Sequence, residues 1–158
     1  MSERHLFAGL DVSKQGCKLV VIRPYDAAVV HTDSLNYDAD LPEYGTRLGT
    51  VPGLGDGVSE SDPRMWIEAV ETLLDRLSAS DVEVSAIRCI SVSGQQHGLV
   101  ALDAEGGLAR PRAKLWNDFS TTRECADLTE AVGGLEALVE LVGNSQRTGY
   151  TAGKILHL

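Results

Sequence analysis

Leu6-Phe7-Ala8-Gly9-Leu10-Asp11-Val12-Ser13-Lys14-Gln15-Gly16-Cys17-Lys18-Leu19-Val20-Val21-Ile22-Arg23 decides the fold. Its first apolar run, Leu6 to Leu10, reads as a strand that ends at an acid, Asp11. A small-polar turn follows, and Lys18 to Arg23 returns as a second strand. Pro24-Tyr25-Asp26 leads to a third, Ala28 to Thr32. Connections this short join strands antiparallel, so the chain opens as a meander at one side of a sheet. A carboxylate at a strand end, followed by a tight turn, can hold magnesium and present backbone N–H groups to phosphate. Asp-Ser-Gly patterns also build ordinary structural hairpins, and on these residues alone both readings stand.

Outward from that start, residues 36–61 are rich in Gly, Asp, Pro and Glu and show no period. So long an excursion inside a compact domain suggests a functional loop or lid. Asp62-Pro63 marks a helix start, with the carboxylate as N-cap and proline at the first helical position. Trp66, Val70, Leu73, Leu74 and Leu77 then recur at helical spacing and predict a helix packed on the sheet up to Ser78–Asp81. Ile87 to Val92 is a β-branched run with one charge at its start, expected to be a central strand buried on both faces. A hairpin is expected around Asp103–Gly107, from Leu99 toward Leu115. Helices follow from Ser120, with Cys125, Leu128 and Val132 on one side, and from Leu135 to Val142; Gly133-Gly134 and Gly143-Asn144 end them. Thr151 is a candidate cap for a last helix that begins at Ala152.

At 158 residues the chain is sized for one domain. Its hydrophobic fraction of 43% is ordinary, and a net charge of −9 is spread along its length. Nucleic acid and anionic membranes reward clustered Lys and Arg, so neither is an expected partner. No signal peptide and no apolar run of spanning length is present. Three widely spaced cysteines, Cys17, Cys89 and Cys125, form no metal-ligand pair and are expected as buried free thiols in a reducing cytoplasm. Metal-binding histidine spacing, a Ser-His-Asp order and a Walker loop are all lacking.

Chemistry concentrates where two apolar runs turn polar: Ser93-Gly94-Gln95-Gln96-His97-Gly98 and Leu115-Trp116-Asn117-Asp118. An imidazole, amides, an indole and a carboxylate suit a polyhydroxylated small molecule, which needs many directional partners and one flat apolar wall. A polar turn with one local bond at His97, and a core role for Trp116, remain the plain alternatives. Asp118 equally suits the N-cap of the helix near Ser120. Arg110, Arg112 and Lys114 read as a solvated surface around a turn.

Gly9-Leu10-Asp11 with Lys18, Gly94-Gln95-Gln96-His97-Gly98, Leu115-Trp116-Asn117-Asp118 and Gly149-Tyr150-Thr151-Ala152-Gly153-Lys154 carry a family likeness. The chain resembles the N-terminal portion of the FGGY carbohydrate kinases, and within them the xylulokinases. The resemblance implies an α/β, actin-like (ribonuclease H-like) lobe with a mixed sheet, an antiparallel N-terminal meander and packed helices, incomplete as a fold. Residues 1–158 are then the N-terminal part of the sugar-binding lobe, and the ATP-binding lobe lies outside them. In that scheme Gln96, His97, Trp116, Asn117 and Asp118 bind the substrate, and Asp11 positions magnesium and phosphate. Ser13, Lys14, Gly16 and Lys18 form the hairpin that faces ATP. Lys14 stands where relatives usually carry a hydroxyl residue; it either weakens the hairpin or supplies a cation. The implied reaction is ATP- and Mg2+-dependent phosphorylation of a ketopentose, D-xylulose first, with ribulose, glycerol or non-catalytic sugar binding as alternatives. The family's catalytic base matches no residue here, so the isolated chain is expected not to phosphorylate sugar. A cytoplasmic location and a possible homodimer complete the implied picture.

Overall fold

The computed structural model describes residues 4–158. They divide into two compact units, one of residues up to Pro52 with Asp62–Gln95, the other Gly53–Ser61 with Gln96–Leu158.

The first unit is built on β1 (Leu6–Val12), β2 (Gly16–Arg23), β3 (Ala28–Asn36) and β5 (Ile87–Gly94), in the order β3-β2-β1-β5. β1 and β2 are antiparallel, with Asp11 opposite Lys18, β3 continues the meander, and β5 joins β1 in parallel. The expected mixed sheet with its antiparallel start is therefore present. Alternation explains the core: Leu6, Ala8 and Leu10 of β1 and Cys17, Leu19 and Val21 of β2 point to one face and are buried there. That face meets α2 (Arg64–Ser78), which presents Met65, Ala69, Leu73 and Leu77, a stripe at i, i+4, i+8 and i+12. The predicted stripe of Trp66, Val70 and Leu74 flanks this line, half-buried. Asp62 is not the N-cap: the helix begins at Arg64 with Pro63 as its N-cap and no side-chain cap bond, although the Asp62 carboxylate accepts the Arg64 N–H at 2.9 Å.

β5 departs from expectation. It lies at the sheet edge, and Ile90 and Val92 are 48% and 64% exposed. Parallel pairing with β1 uses one side of the strand, and no other strand of the described residues pairs with the second. Cys89 rides on the same strand and is exposed, whereas Cys17 and Cys125 are buried; all three are free.

The irregular excursion is more ordered than a lid. Helix α1 (Tyr37–Asp40) and a 3-10 turn, Pro42–Tyr44, open it. Asp38 then accepts from the Thr46 hydroxyl and from the Leu48 and Gly49 N–H groups, fastening a turn that closes between Arg47 and Thr50. Burial pushes the Asp38 carboxyl up, but these donors, with the charge of Lys14, hold it below the usual carboxylate range. Gly49 packs on the Lys14 carbonyl so closely that an added Cβ would come within 1.8 Å of it, at a φ of +72°.

The second unit holds β4 (Glu60–Ser61) antiparallel to β6 (Ala113–Lys114), with Leu99 bridged to Lys114 and Leu102 to Leu108. The predicted hairpin turns at Asp103, whose carboxylate accepts the N–H groups of Glu105 and Gly107. Helices α3 (Thr122–Ala131), α4 (Leu135–Val142) and α5 (Thr151–Leu156) follow. Gly133, Gly134 and Gly143 carry the positive φ values that end α3 and α4, as their places in the sequence suggested. Thr151 is inside α5 and does not cap it; the N-cap is Tyr150, without a side-chain cap bond. No helix among the described residues is long and apolar enough to cross a membrane.

Candidate functional site

In the first unit, Asp11 is exposed near the end of β1, across the strand pair from exposed Lys18. The turn beyond it is closed twice by Ser13, whose N–H and hydroxyl both donate to the Gly16 carbonyl at 3.0 Å. Tyr37 supports that turn from beneath. Its N–H donates to Gln15, and its buried hydroxyl donates to the Ser13 carbonyl at 3.2 Å. Burial, with the nearby Cys17 and Asp11, pushes the Tyr37 phenol well above its ordinary value, so it stays a neutral donor. Gly16 allows β2 to start close to β3, since a Cβ there would lie 2.5 Å from the Leu35 carbonyl. The hairpin residues Ser13, Lys14, Gly16 and Lys18 thus sit together. Lys14 is half-buried, and its charge bears on Asp38.

In the second unit, the two polar segments leave the same end of the Leu99–Lys114 bridge, His97 two residues before Leu99 and Trp116 two residues after Lys114. Gln96 and His97 are exposed, and Trp116 is 48% exposed. Trp116 and Asn117 occupy the middle of a turn closed by the Asp118 N–H to the Leu115 carbonyl, 3.0 Å, which displays the indole. The Ser59 hydroxyl donates to Asn117 Oδ1 at 3.0 Å. His97 adopts a left-handed φ of +58°, and its ring lies 4.9 Å from the Tyr150 ring, tilted by 35°.

Asp118 lies behind this surface with no exposure. Its carboxylate accepts from the Ser59 N–H at 2.8 Å and from the Ser120 hydroxyl and N–H, so its neighbours are all protein groups. It does not cap α3, whose N-cap is Thr121. Burial raises the Asp118 carboxyl, but Ser120, Ser59 and Lys114 outweigh it and hold the group below the ordinary value. Lys114 itself is buried, donating to Ser120 at 2.9 Å, with Asp118 and Glu60 each at 3.4 Å. Glu60 also takes Arg110 at 2.7 Å and Arg112 at 3.0 Å. The solvated surface expected for Arg110, Arg112 and Lys114 is therefore an ion-pair cluster around one buried acid. Their spacing of two, on a stretch that ends as a strand, was the available signal that they share a face. Sequence reasoning named Lys154 within the Gly149–Lys154 likeness but gave it no role; it is fully buried and donates 2.7 Å bonds to the carbonyls of His97 and Gly149.

Among the described residues no three His, Cys, Asp or Glu side chains gather as a metal cage. Magnesium needs less, because it is commonly held by one or two carboxylates together with substrate phosphates and water. The exposed Asp11 beside a closed hairpin fits that demand.

The sheet order, its crossover through α2 and its antiparallel start define a lobe of the actin-like ATPase class. The chain belongs to the FGGY family of carbohydrate kinases, whose N-terminal domain matches residues 6–158. A xylulose kinase of Schizosaccharomyces pombe is 35% identical over 95% of this chain and 30% of its own length. One from Rattus norvegicus is 31% identical over 96% of this chain and 32% of its own. Among solved structures, a xyloylose kinase from Brucella ovis superposes with a TM-score of 0.77 at 33% identity, covering 97% of this chain and 29% of that one. The chain thus spans about 30% of the length of the relatives it matches.

Proposed function

We propose that this chain is the sugar-holding N-terminal part of a kinase that phosphorylates a ketopentose, D-xylulose first among them, in a cytoplasmic setting. The observation that carries the reading is that Gln96-His97 and Trp116-Asn117 leave one end of a single strand bridge, with Gln96, His97 and Trp116 exposed and Asn117 half-buried. Imidazole and amide groups bond hydroxyls, and the indole offers a flat wall to the carbon chain. The names of relatives that cover nearly the whole chain support xylulose over ribulose or glycerol.

In this reading Asp118 acts one layer back, holding the Trp116 turn rather than touching sugar. Asp11 holds magnesium with the transferred phosphate, and Ser13, Lys14, Gly16 and Lys18 face the nucleotide. Magnesium-bound ATP, when present, supplies the phosphoryl group and neutralises charge on it. What these residues contribute is positioning, the larger part of such catalysis.

Isothermal titration of the 158-residue chain with D-xylulose, D-ribulose and glycerol tests the proposal. Saturable binding strongest for D-xylulose, weakened about tenfold or more by His97→Ala, is the expected result. Equal heats with and without the imidazole would place the sugar elsewhere.

A further inference from the structure

We infer that Lys154 is the positioning residue of the sugar surface, and that with Tyr150 it sets the pose of the His97 ring. Two observations meet at one short helix and its N-cap. Lys154 is fully buried, yet its ammonium is spent on backbone carbonyls: His97 at 2.7 Å and Gly149 at 2.7 Å. The ring of Tyr150, four residues earlier, lies against the His97 ring.

Both carbonyls matter to the pocket. His97 is not glycine, yet its φ is +58°, a left-handed conformation uncommon outside glycine that a firm local bond helps to hold. The charge-assisted bond to the carbonyl of that same residue is one of this kind. Gly149 packs on the other segment: a Cβ there would lie 3.0 Å from the Trp116 carbonyl. One cation thus ties the His97 turn to the chain that backs the Trp116 turn. Helix α5, which carries the lysine, is docked closely on α3, because a Cβ at Gly153 would approach Cys125 Sγ to 2.9 Å and Thr121 Oγ1 to 3.2 Å. The lysine is therefore delivered from a fixed base.

Burial pulls the Lys154 ammonium below its usual range, with Asp118 opposing and Lys114 adding to the pull. A cation kept there at that cost is retained for what it holds. The inference rests on the sugar-site reading only for the identity of the ligand.

Imidazole signals of the 158-residue chain, with His97 assigned through His97→Gln, test the pose without any ligand. Lys154→Met and Tyr150→Leu should each shift the His97 ring signals while those of His5 and His31 stay in place. A purely structural lysine would lower the melting temperature and leave the His97 signals unmoved; that result overturns the inference. If Lys154→Met fails to fold, Lys154→Arg, which keeps the charge on a longer, planar group, decides in the same way through the same His97 signals. D-xylulose titration then separates the two claims, with affinity expected to fall about tenfold in folded Lys154→Met. Failure of the parent chain to bind the sugar would refute the functional reading and leave the His97 result to judge Lys154.

Discussion

Two buried carboxylates govern the acid stability of the second unit. Asp118 accepts from three protein donors, and Lys114 lies beside it; Glu60, 5% exposed, faces three cations. Burial opposes ionisation of both, and their partners more than offset it, so both titrate below their ordinary values of 3.8 and 4.5. A carboxyl depressed by folding adds stability above its unfolded value and loses it as pH falls through the folded one. The melting temperature should therefore hold from neutrality to about pH 5 and drop steeply below about pH 4. Asp118→Asn should cost about 3–5 kcal/mol at pH 7, and the gap to the parent should narrow in the acid limb of a pH–melting series. Tyr37→Phe removes one buried hydroxyl bond to Ser13 and should cost about 1 kcal/mol in a urea titration, with faster exchange of the Ser13 N–H. Asp11, His97 and Trp116 were legible as chemistry because their runs change character abruptly. Lys154 was not, since nothing local distinguishes a buried lysine from one on the outer face of a six-residue helix.

Among the elements, α5 gives the sharpest case of two rules in conflict. Glycine in a helix interior gives up about 1 kcal/mol relative to alanine, so Gly153→Ala ought to stabilise. The added methyl would meet Cys125 Sγ at 2.9 Å and Thr121 Oγ1 at 3.2 Å, and overpacking of that kind costs about 1–3 kcal/mol. The clash should win: Gly153→Ala is expected to lower stability by about 1 kcal/mol, and the same change made on a Cys125→Ala background should raise it. Thermal melts of the four proteins settle the sign. The periodic elements were readable in advance, from the meander through α2 to α4, because each alternates or repeats strongly against its breakers. The excursion after Asn36 was read as an aperiodic functional loop or lid because its order comes from Asp38 accepting the donors of a turn 8 to 11 residues away, which leaves no periodic trace. β5 was misplaced for a different reason. An apolar strand announces that it will be covered and says nothing of what covers it.

At the scale of the whole molecule, a chain of net charge −9 carries an exposed apolar strand edge. Charge repels copies at long range, but salt screens it, whereas an open edge offers unpaired backbone groups at contact. Self-association is therefore expected, stronger at high salt. Val92→Lys, a charge on the edge strand, should weaken it about tenfold or more in sedimentation equilibrium. A parent chain that stays monomeric at all ionic strengths would contradict this.

The unequal cover of the three cysteines has a practical use. Burial raises the Cys17 thiol above its ordinary value, Cys125 is 8% exposed, and Cys89 stands in the open. A maleimide dye offered to the folded chain should couple once, at β5, with no cysteine engineered in or out. The wild-type molecule thus comes with its own attachment point for a fluorophore, set on the strand whose encounters with other chains most need watching.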